Sequence, residues 1–264
     1  MTPKINKIRL DALYRAHNRR ENVHPDPLEF LYHYEDLCDR EIVGLVASSL
    51  AYGRVEQILK SVSAVLDRMP EPYYFLKSSS LESLRLTFRD FKHRFTKGED
   101  LSIMLFGAKR IIEKYGSLYE CFRTGLNDED DSVLPALELF TRRLVGSDLC
   151  EKNTLIPSPF KGSACKRMNL FLRWMVREDD VDPGGWERVP ASKLIVPLDT
   201  HLHRISLVLH MTKRRQADIK TAQEITCAFR SIIPDDPVRY DFTLTRLGIW
   251  QVDSTPEILN QLIC

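Results

Sequence analysis

Hydrophobic positions recur at helical spacing along most of the chain. Between Val55 and Met69 the apolar side chains follow one another every three or four positions, which is the pattern of an amphipathic helix. The preceding segment 41–51, EIVGLVASSLA, is apolar on almost every side, as a helix at the centre of a fold would be. Tyr52-Gly53-Arg54 lies between them as a tight turn. The pattern therefore predicts two consecutive helices, the first of them buried.

Helical patterns also account for most of the remaining chain. They cover LSIMLFGAKRIIEKYG, SVLPALELFTRRLVG, ACKRMNLFLRWMVR, DTHLHRISLVLHM and TAQEITCAFRSI. Strand-like alternation bounded by turn signals does not occur, so the predicted fold class is all-α. Three segments that are rich in Pro, Gly or acidic residues interrupt the helices, at 127–132, 156–163 and 177–190. We predict that these segments are connectors.

Composition narrows the class of protein. The chain has 264 residues, of which 43% are hydrophobic and 28% charged, enough for one large domain or two smaller ones. The first thirty residues are too charged for a signal peptide, and no apolar run approaches the roughly 20 residues of a membrane-spanning helix. Six cysteines lack metal-ligand or CxxC spacing. We expect a soluble, cytoplasmic protein with free thiols.

Basic residues cluster around one acid. The net charge is only +1, so a polyanionic partner would have to bind a local patch. Segment 161–177 has five Lys or Arg residues and no acid, and segment 200–216 has four, with three histidines and again no acid. Asp199 lies between these two basic runs, which favour contact with phosphates.

The first basic helix begins directly after a loop of small residues. In KGSACKRM, a short loop ends at Gly162 and the helix begins around Cys165, so its free N–H groups form a seat for phosphate. Lys166 lies in the first turn. The positive end of the helix dipole and the neighbouring Arg167 both favour the neutral amine, and only the neutral amine attacks carbon.

Asp199, in VPLDTHLHR, allows three interpretations. It can cap the following helix, ligate a metal with His201 and His203, or act in catalysis. The metal site has poor geometry, because positions i, i+2 and i+4 do not share one helix face, so we expect no metal. Capping and catalysis are compatible, and both remain open.

Lys166 and Asp199 together resemble the helix–hairpin–helix DNA glycosylase superfamily. In that family a G-V-G-x-K hairpin is followed by a V-P-[VL]-D-T-H segment. Gly162 matches the first hairpin glycine, Ala164 replaces the second, and Lys166 and Asp199 fall on the catalytic lysine and aspartate. The Cβ of Ala164 is expected to crowd a DNA phosphate. The separation of 33 positions exceeds that of the common members and is more similar to the archaeal 8-oxoguanine glycosylase branch and to an uncharacterised bacterial family with the same K…PLDTH layout.

The resemblance implies a fold and an activity. The fold would have two helical subdomains with a cleft between them: 36–178, a barrel-like unit ending in the hairpin, and 1–35 plus 179–264. The activity would be a DNA glycosylase with apurinic/apyrimidinic lyase chemistry, acting as a monomer and without cofactor on double-stranded DNA that contains a damaged base such as 8-oxoguanine. Such enzymes flip the base into a pocket.

Further residues are candidates for binding. The expected DNA contacts are Lys161, Gly162, Ser163, Ala164, Arg167, Arg173, His201 and Arg204, and the candidates for the base pocket are Gln57, Asp241 and Trp250. Two alternatives remain: a non-catalytic helix–hairpin–helix DNA-binding protein, and an α-helical RNA-binding or nucleotide-processing protein.

Overall fold

The protein is helical through most of its length, which confirms the predicted fold class. The computed structural model describes residues 5–146, 153–250, 259, 262 and 263. Its α-helices are α1 (Lys7–His17), α2 (Leu37–Ser49), α3 (Val55–Leu66), α4 (Pro72–Ser78), α5 (Leu81–Thr87), α6 (Gly98–Tyr115), α7 (Leu118–Arg123), α8 (Leu134–Val145), α9 (Lys166–Val176), α10 (Thr200–Val208), α11 (Ile219–Arg230) and α12 (Asp241–Trp250). Short 3-10 helices cover Arg20–Asn22, Pro27–His33, Pro159–Lys161 and Ala191–Lys193. Strands β1 (Lys92–His93) and β2 (Thr96–Lys97) form an antiparallel hairpin.

Helix α2 is the centre of the fold, as its apolar sequence predicted. The Asp36 side chain caps it by accepting hydrogen bonds from the backbone N–H groups of Cys38 and Asp39, and the residues from Ile42 to Ala47 are buried. The helix packs against α9, α4 and the 3-10 helix Pro27–His33. Gly53, with φ of +101°, makes the predicted turn into α3.

Helix α6 forms a second layer with α5, α7 and α8. Its Gly107 lies directly against the end of α8, where an added Cβ would come within 1.9 Å of the Leu144 carbonyl oxygen. The close contact between these two helices therefore depends on glycine at this position. None of the helices within the described ranges combines the length and the apolar content that crossing a membrane requires.

Buried apolar residues form one continuous core across both predicted subdomains. Helix α1 packs on α12, and α10 also packs on α12. The 3-10 helix Pro27–His33, which was assigned to the second subdomain, packs on α2 and α3 of the first. The division of the chain at positions 36 and 178 stays a prediction.

The connector 177–190 is largely internal. Asp182 is fully buried and binds both Arg173, at 3.1 Å, and Arg177. Arg173 also pairs with Asp241, and Arg177 pairs with Asp236 at 3.0 Å. Buried charges are stable only when they are paired in this way. The network holds α9 against the connector and the C-terminal helices.

Glu41 joins the connector to α2 and α7. This carboxylate is 1% exposed and accepts hydrogen bonds from the backbone N–H groups of Leu118 (2.8 Å) and Tyr119 (3.0 Å) and from the Trp186 indole (2.9 Å). Burial raises the pKa of Glu41 to about 7, and the three hydrogen bonds only partly oppose it.

The folded state should therefore lose stability relative to an E41Q variant as the pH rises. A carboxyl with a folded pKa of about 7 and an ordinary value of 4.5 stabilises the fold fully below pH 4.5 and loses that contribution between pH 4.5 and about 7. Within this window the free energy of unfolding falls by at most about 1.4 kcal/mol per pH unit. Urea unfolding of both proteins across this window measures the difference, with exposed Glu56→Gln as the control. Parallel curves for wild type and E41Q would contradict the assignment.

Candidate active site

The structure brings Lys166 and Asp199 together, although they are 33 positions apart. Lys166 is the first residue of α9, and Asp199 immediately precedes α10. The Lys166 Nζ and Asp199 Oδ2 atoms are 3.7 Å apart, with 36% of the lysine side chain and 14% of the aspartate side chain exposed. Both line a cavity of about 730 Å³, a volume typical of small-molecule sites.

Asp199 is oriented by the helix that it caps. Its backbone is extended, with φ of −113° and ψ of −176°, as at most N-caps. The Oδ1 atom accepts a hydrogen bond of 2.8 Å from the Leu202 N–H. The structure thus confirms the cap and leaves the second oxygen, Oδ2, facing Lys166. Capping fixes the direction of the carboxylate without occupying the oxygen that contacts the lysine.

Lys166 is positioned by a strained helix start. Cys165 precedes it with φ of +49°, and the Cys165 N–H donates to Ser163 Oγ at 3.1 Å. Burial raises the pKa of Cys165 to about 11, so its thiol stays protonated. Gly162 has φ of +80°, and an added Cβ there would meet nothing within 4 Å, so this position needs glycine for its backbone conformation.

The loop before α9 is also anchored at the start of α11. The Ile219 N–H donates to the Gly162 carbonyl oxygen at 3.3 Å, and Ser163 forms a β-bridge with Asp218. Asn169 donates to the Ala164 carbonyl oxygen at 3.1 Å. These bonds hold the loop in place beside the lysine.

A second carboxyl lies in the cavity wall. Asp241, a predicted pocket residue, lines the cavity but is only 3% exposed and is paired with Arg173. Burial raises the pKa of Asp241 to about 6, the charge of Arg173 opposes this rise, and Asp199 adds to it. The site therefore combines one carboxylate in contact with lysine and one held by arginine, with Tyr52 and Phe242 as aromatic wall residues.

Two predicted phosphate contacts point inward. Arg173 is 3% exposed and ion-paired on both sides, so its predicted contact with DNA is wrong. Arg167 donates to the backbone oxygens of Ser49 (3.0 Å) and Thr154 (2.8 Å), and its guanidinium lies 5.0 Å from the centre of the Tyr52 ring. These bonds connect α9 to the end of α2. Arg167 also lines the cavity, and its contact with a phosphate stays a prediction.

The other predicted DNA contacts are located as follows. Lys161, Gly162 and Arg204 are exposed. Ser163, Ala164 and His201 line the cavity, and Ala164 is 9% exposed. Their contacts with DNA stay predictions.

Of the remaining candidates, Gln57 is not brought to the site. Gln57 is exposed, does not line the cavity and donates to Ser61 Oγ at 3.2 Å. Trp250 ends α12, and its side chain lies outside the described part of the structure. His203 is buried and hydrogen-bonded through Nε2 to the Arg214 carbonyl oxygen at 2.9 Å. Over the described ranges, no group of three or more His, Cys, Asp or Glu residues could hold a metal ion.

Sequence patterns did not reveal part of the cavity wall. Pro25, Asp26 and Arg246 also line it, with Arg246 only 2% exposed and paired with Asp26 at 3.0 Å. Arg246 lies more than 200 positions after Pro25 and Asp26 in the chain, and no motif marks these three residues. Only folding brings the N-terminal segment beside α12.

Comparison with known proteins gives a family without an assigned activity. No curated protein and no solved structure matches the chain significantly. A family model described as "Protein of unknown function (DUF2400)" matches residues 26–250. This range contains every described residue of the candidate site except Pro25. Because the match covers most of the sequence, the chain belongs to the DUF2400 family.

Proposed function

We propose that this protein is a DNA glycosylase with apurinic/apyrimidinic lyase activity that removes an oxidised purine, with 8-oxoguanine as the first candidate. The observation that carries the proposal is the 3.7 Å contact between Lys166 and Asp199 in a cavity wall. Schiff-base chemistry on a sugar requires an amine nucleophile and a negative charge near the sugar ring, and a lysine beside an oriented carboxylate supplies both.

In this mechanism, neutral Lys166 attacks the sugar C1′. The bond between C1′ and the base nitrogen breaks, and its electron pair leaves with the base, which takes up a proton. Asp199 stabilises the positive charge that develops on the sugar ring. Opening of the ring gives a Schiff base between Nζ and C1′. Loss of a proton from C2′ then expels the 3′ phosphate with the electrons of its C3′–O bond.

The ion pair has a second consequence for this chemistry. A charged lysine must lose a proton before it attacks. Among the described carboxylates, Asp199 is the one that forms a salt bridge with Lys166, and its Oδ2 is not used in capping. In the proposal Asp199 accepts this proton on Oδ2 and gives it up to the departing base, so that the carboxylate is charged again when the sugar cation develops.

The proposal also includes a helix–hairpin–helix and a division into two subdomains. The turn Pro159–Lys161, Gly162 and the start of α9 would form the hairpin of a helix–hairpin–helix. The cavity would be the cleft between two subdomains, because Tyr52 lines it from the first predicted range and Asp199 from the second. Exposed Lys161 and Arg204 would contact phosphates of double-stranded DNA. We expect a cytoplasmic monomer that needs no cofactor.

The principal alternative is a non-catalytic helix–hairpin–helix DNA-binding protein. It is favoured by Ala164, which puts a Cβ where the family has a second hairpin glycine. In that case the contact between Lys166 and Asp199 would be a partly exposed salt bridge, worth about 0–1 kcal/mol to folding.

Borohydride trapping separates the two functions. The wild-type protein is incubated with duplexes that each carry one lesion, 8-oxoguanine and an abasic site among them, and the Schiff base is reduced. We expect a covalent protein–DNA adduct, strongest with the preferred lesion. If duplexes are bound but no lesion yields an adduct, the lyase proposal fails and the non-catalytic alternative remains.

A further inference from the structure

The hairpin β1–β2 presents an aromatic side chain at the rim of the cavity. Phe95, in the two-residue turn of the hairpin, is 61% exposed. Its ring stacks on Tyr52 with 5.0 Å between centroids and 27° between planes, and Tyr52 lines the cavity. One side of the Phe95 ring packs on the protein, and the ring remains largely open to solvent.

The same hairpin carries three cationic residues close to Phe95 in the sequence. Lys92, Arg94 and Lys97 are exposed, and none of them forms a salt bridge within the described part of the chain. Lys92 and Lys97 lie directly opposite each other in the register of the hairpin, where like charges destabilise strand pairing. A bound anion would remove this repulsion.

The acids nearest in sequence do not neutralise these cations. Asp90 pairs with Arg68 at 2.8 Å, and Glu99 pairs with Arg85 at 2.6 Å. Asp100 accepts a hydrogen bond of 3.0 Å from the Lys97 backbone N–H. The hairpin therefore combines an exposed aromatic ring with three exposed cations that form no salt bridge within the described residues.

A buried network holds the hairpin in one position. The Tyr52 hydroxyl contacts the His93 carbonyl oxygen at 2.9 Å and Thr96 Oγ1 at 2.6 Å. The His93 ring bonds to Ser61 Oγ (2.9 Å) and to the Tyr52 carbonyl oxygen (3.0 Å). Burial lowers the pKa of His93, so the ring stays neutral near pH 7. A ligand would thus meet a pre-organised surface, which reduces the cost of binding.

Arg94 connects the turn to the cavity rim. It has φ of +53°, and its side chain crosses Gly53, where an added Cβ would lie 2.9 Å from the Arg94 Cδ and Nη1 atoms. Gly53 lines the cavity. A chain bound at the hairpin would therefore continue toward Lys166 and Asp199.

We infer that the hairpin is a stacking platform for an unpaired nucleobase of DNA. The base would lie on Phe95, and Lys92, Arg94 and Lys97 would contact the neighbouring phosphates. Stacking on aromatic rings beside a basic surface is how proteins bind single strands. The inference rests on the proposed function in taking DNA as the partner, and it adds that unpaired nucleotides beside the target are preferred over intact duplex.

The test uses the full chain and a short single-stranded DNA that contains 2-aminopurine, whose fluorescence falls on stacking. We expect quenching by the wild-type protein. Phe95→Ala should abolish the quenching and weaken binding about five-fold to a hundred-fold, from the usual strength of base stacking, and Phe95→Trp should restore both. Tyr74→Ala, which removes an aromatic ring that is 67% exposed away from the cavity, is the matched control.

Salt dependence gives a second readout. Replacing Lys92 and Lys97 together by Gln should reduce the slope of log K against log salt by about 1.4, or about 0.7 for each lost phosphate contact. Wild-type affinity in Phe95→Ala would overturn the inference, and so would equal affinity for single strand and duplex.

The failures of the two proposals are distinguishable. A trapped adduct together with binding that does not depend on Phe95 contradicts the platform alone. Phe95-dependent quenching without any adduct contradicts the lyase alone. Absence of DNA binding contradicts both, and tighter binding of the same sequence as RNA contradicts the choice of DNA.

Discussion

Replacing Lys166 by Gln is expected to abolish the borohydride-trapped adduct and to slow strand cleavage by at least about a thousand-fold, since the variant has no nucleophile. Binding to duplex DNA should change little. The fold should survive, because Lys166 takes part only in a partly exposed ion pair, which contributes at most about 1 kcal/mol. Single-turnover cleavage, adduct yield and the free energy of unfolding are measured on the same preparation.

Lys161→Gln is the control for this variant. Lys161 lies five positions earlier, is exposed and does not line the cavity of Lys166. The control should keep the adduct while weakening duplex binding and lowering its salt dependence by about one phosphate contact. An adduct that persists in Lys166→Gln would show that another amine is the nucleophile, or that the trapping is nonspecific.

Replacing Asp199 by Asn should slow the single-turnover reaction by about a hundred-fold to a thousand-fold. The substitution removes the negative charge that stabilises the cationic sugar, a contribution of about 2.7–4 kcal/mol in pre-organised sites. Asn caps helices about as well as Asp, so its side-chain oxygen can still accept from the Leu202 N–H. The melting temperature and the affinity for duplex DNA should therefore remain close to those of the wild type.

Asp218 provides a matched control for the cap. It precedes α11 with φ of −112° and ψ of −178°, and its side chain accepts a hydrogen bond of 2.9 Å from the Thr221 N–H, so its local geometry repeats that of Asp199. Asp218→Asn should leave the reaction rate unchanged. If Asp199→Asn lowers the melting temperature by several degrees while Lys166→Gln is kinetically silent, Asp199 is a structural cap and the enzyme proposal loses its support.

Periodicity was sufficient to predict most of the long helices. Helices α3, α8, α9 and α10 fall within segments where apolar residues repeat at helical spacing. Helices α2, α6 and α11 overlap such segments and begin two to four residues earlier, and α1 and α12 were missed. The hairpin β1–β2 was missed, because strands of two residues are too short to show alternation. The short helices α4 and α5 have seven residues each and were missed for the same reason.

The residues of the candidate site could also be predicted from the sequence only in part. Lys166 and Asp199 could be named from two short motifs, because each motif is local. Arg173 was misassigned, because a basic run gives no sign of its acidic partners: Asp182 follows nine positions later and Asp241 follows 68 positions later. Burial of a charged residue depends on such distant partners, so the pattern of charges alone could not separate Arg173 from the exposed Lys161.

The buried network of the connector 177–190 has a consequence for the evolution of this protein. Arg173 lies in the last turn of the helix that begins with Lys166, Arg177 directly follows that helix, and both bind the fully buried Asp182. The additional length between Lys166 and Asp199 is thus part of the core, and deleting it would remove Asp182, one of the two carboxylates that pair with buried Arg173. Connector and site are therefore expected to be inherited as one unit, with insertions and deletions confined to exposed segments such as 127–131.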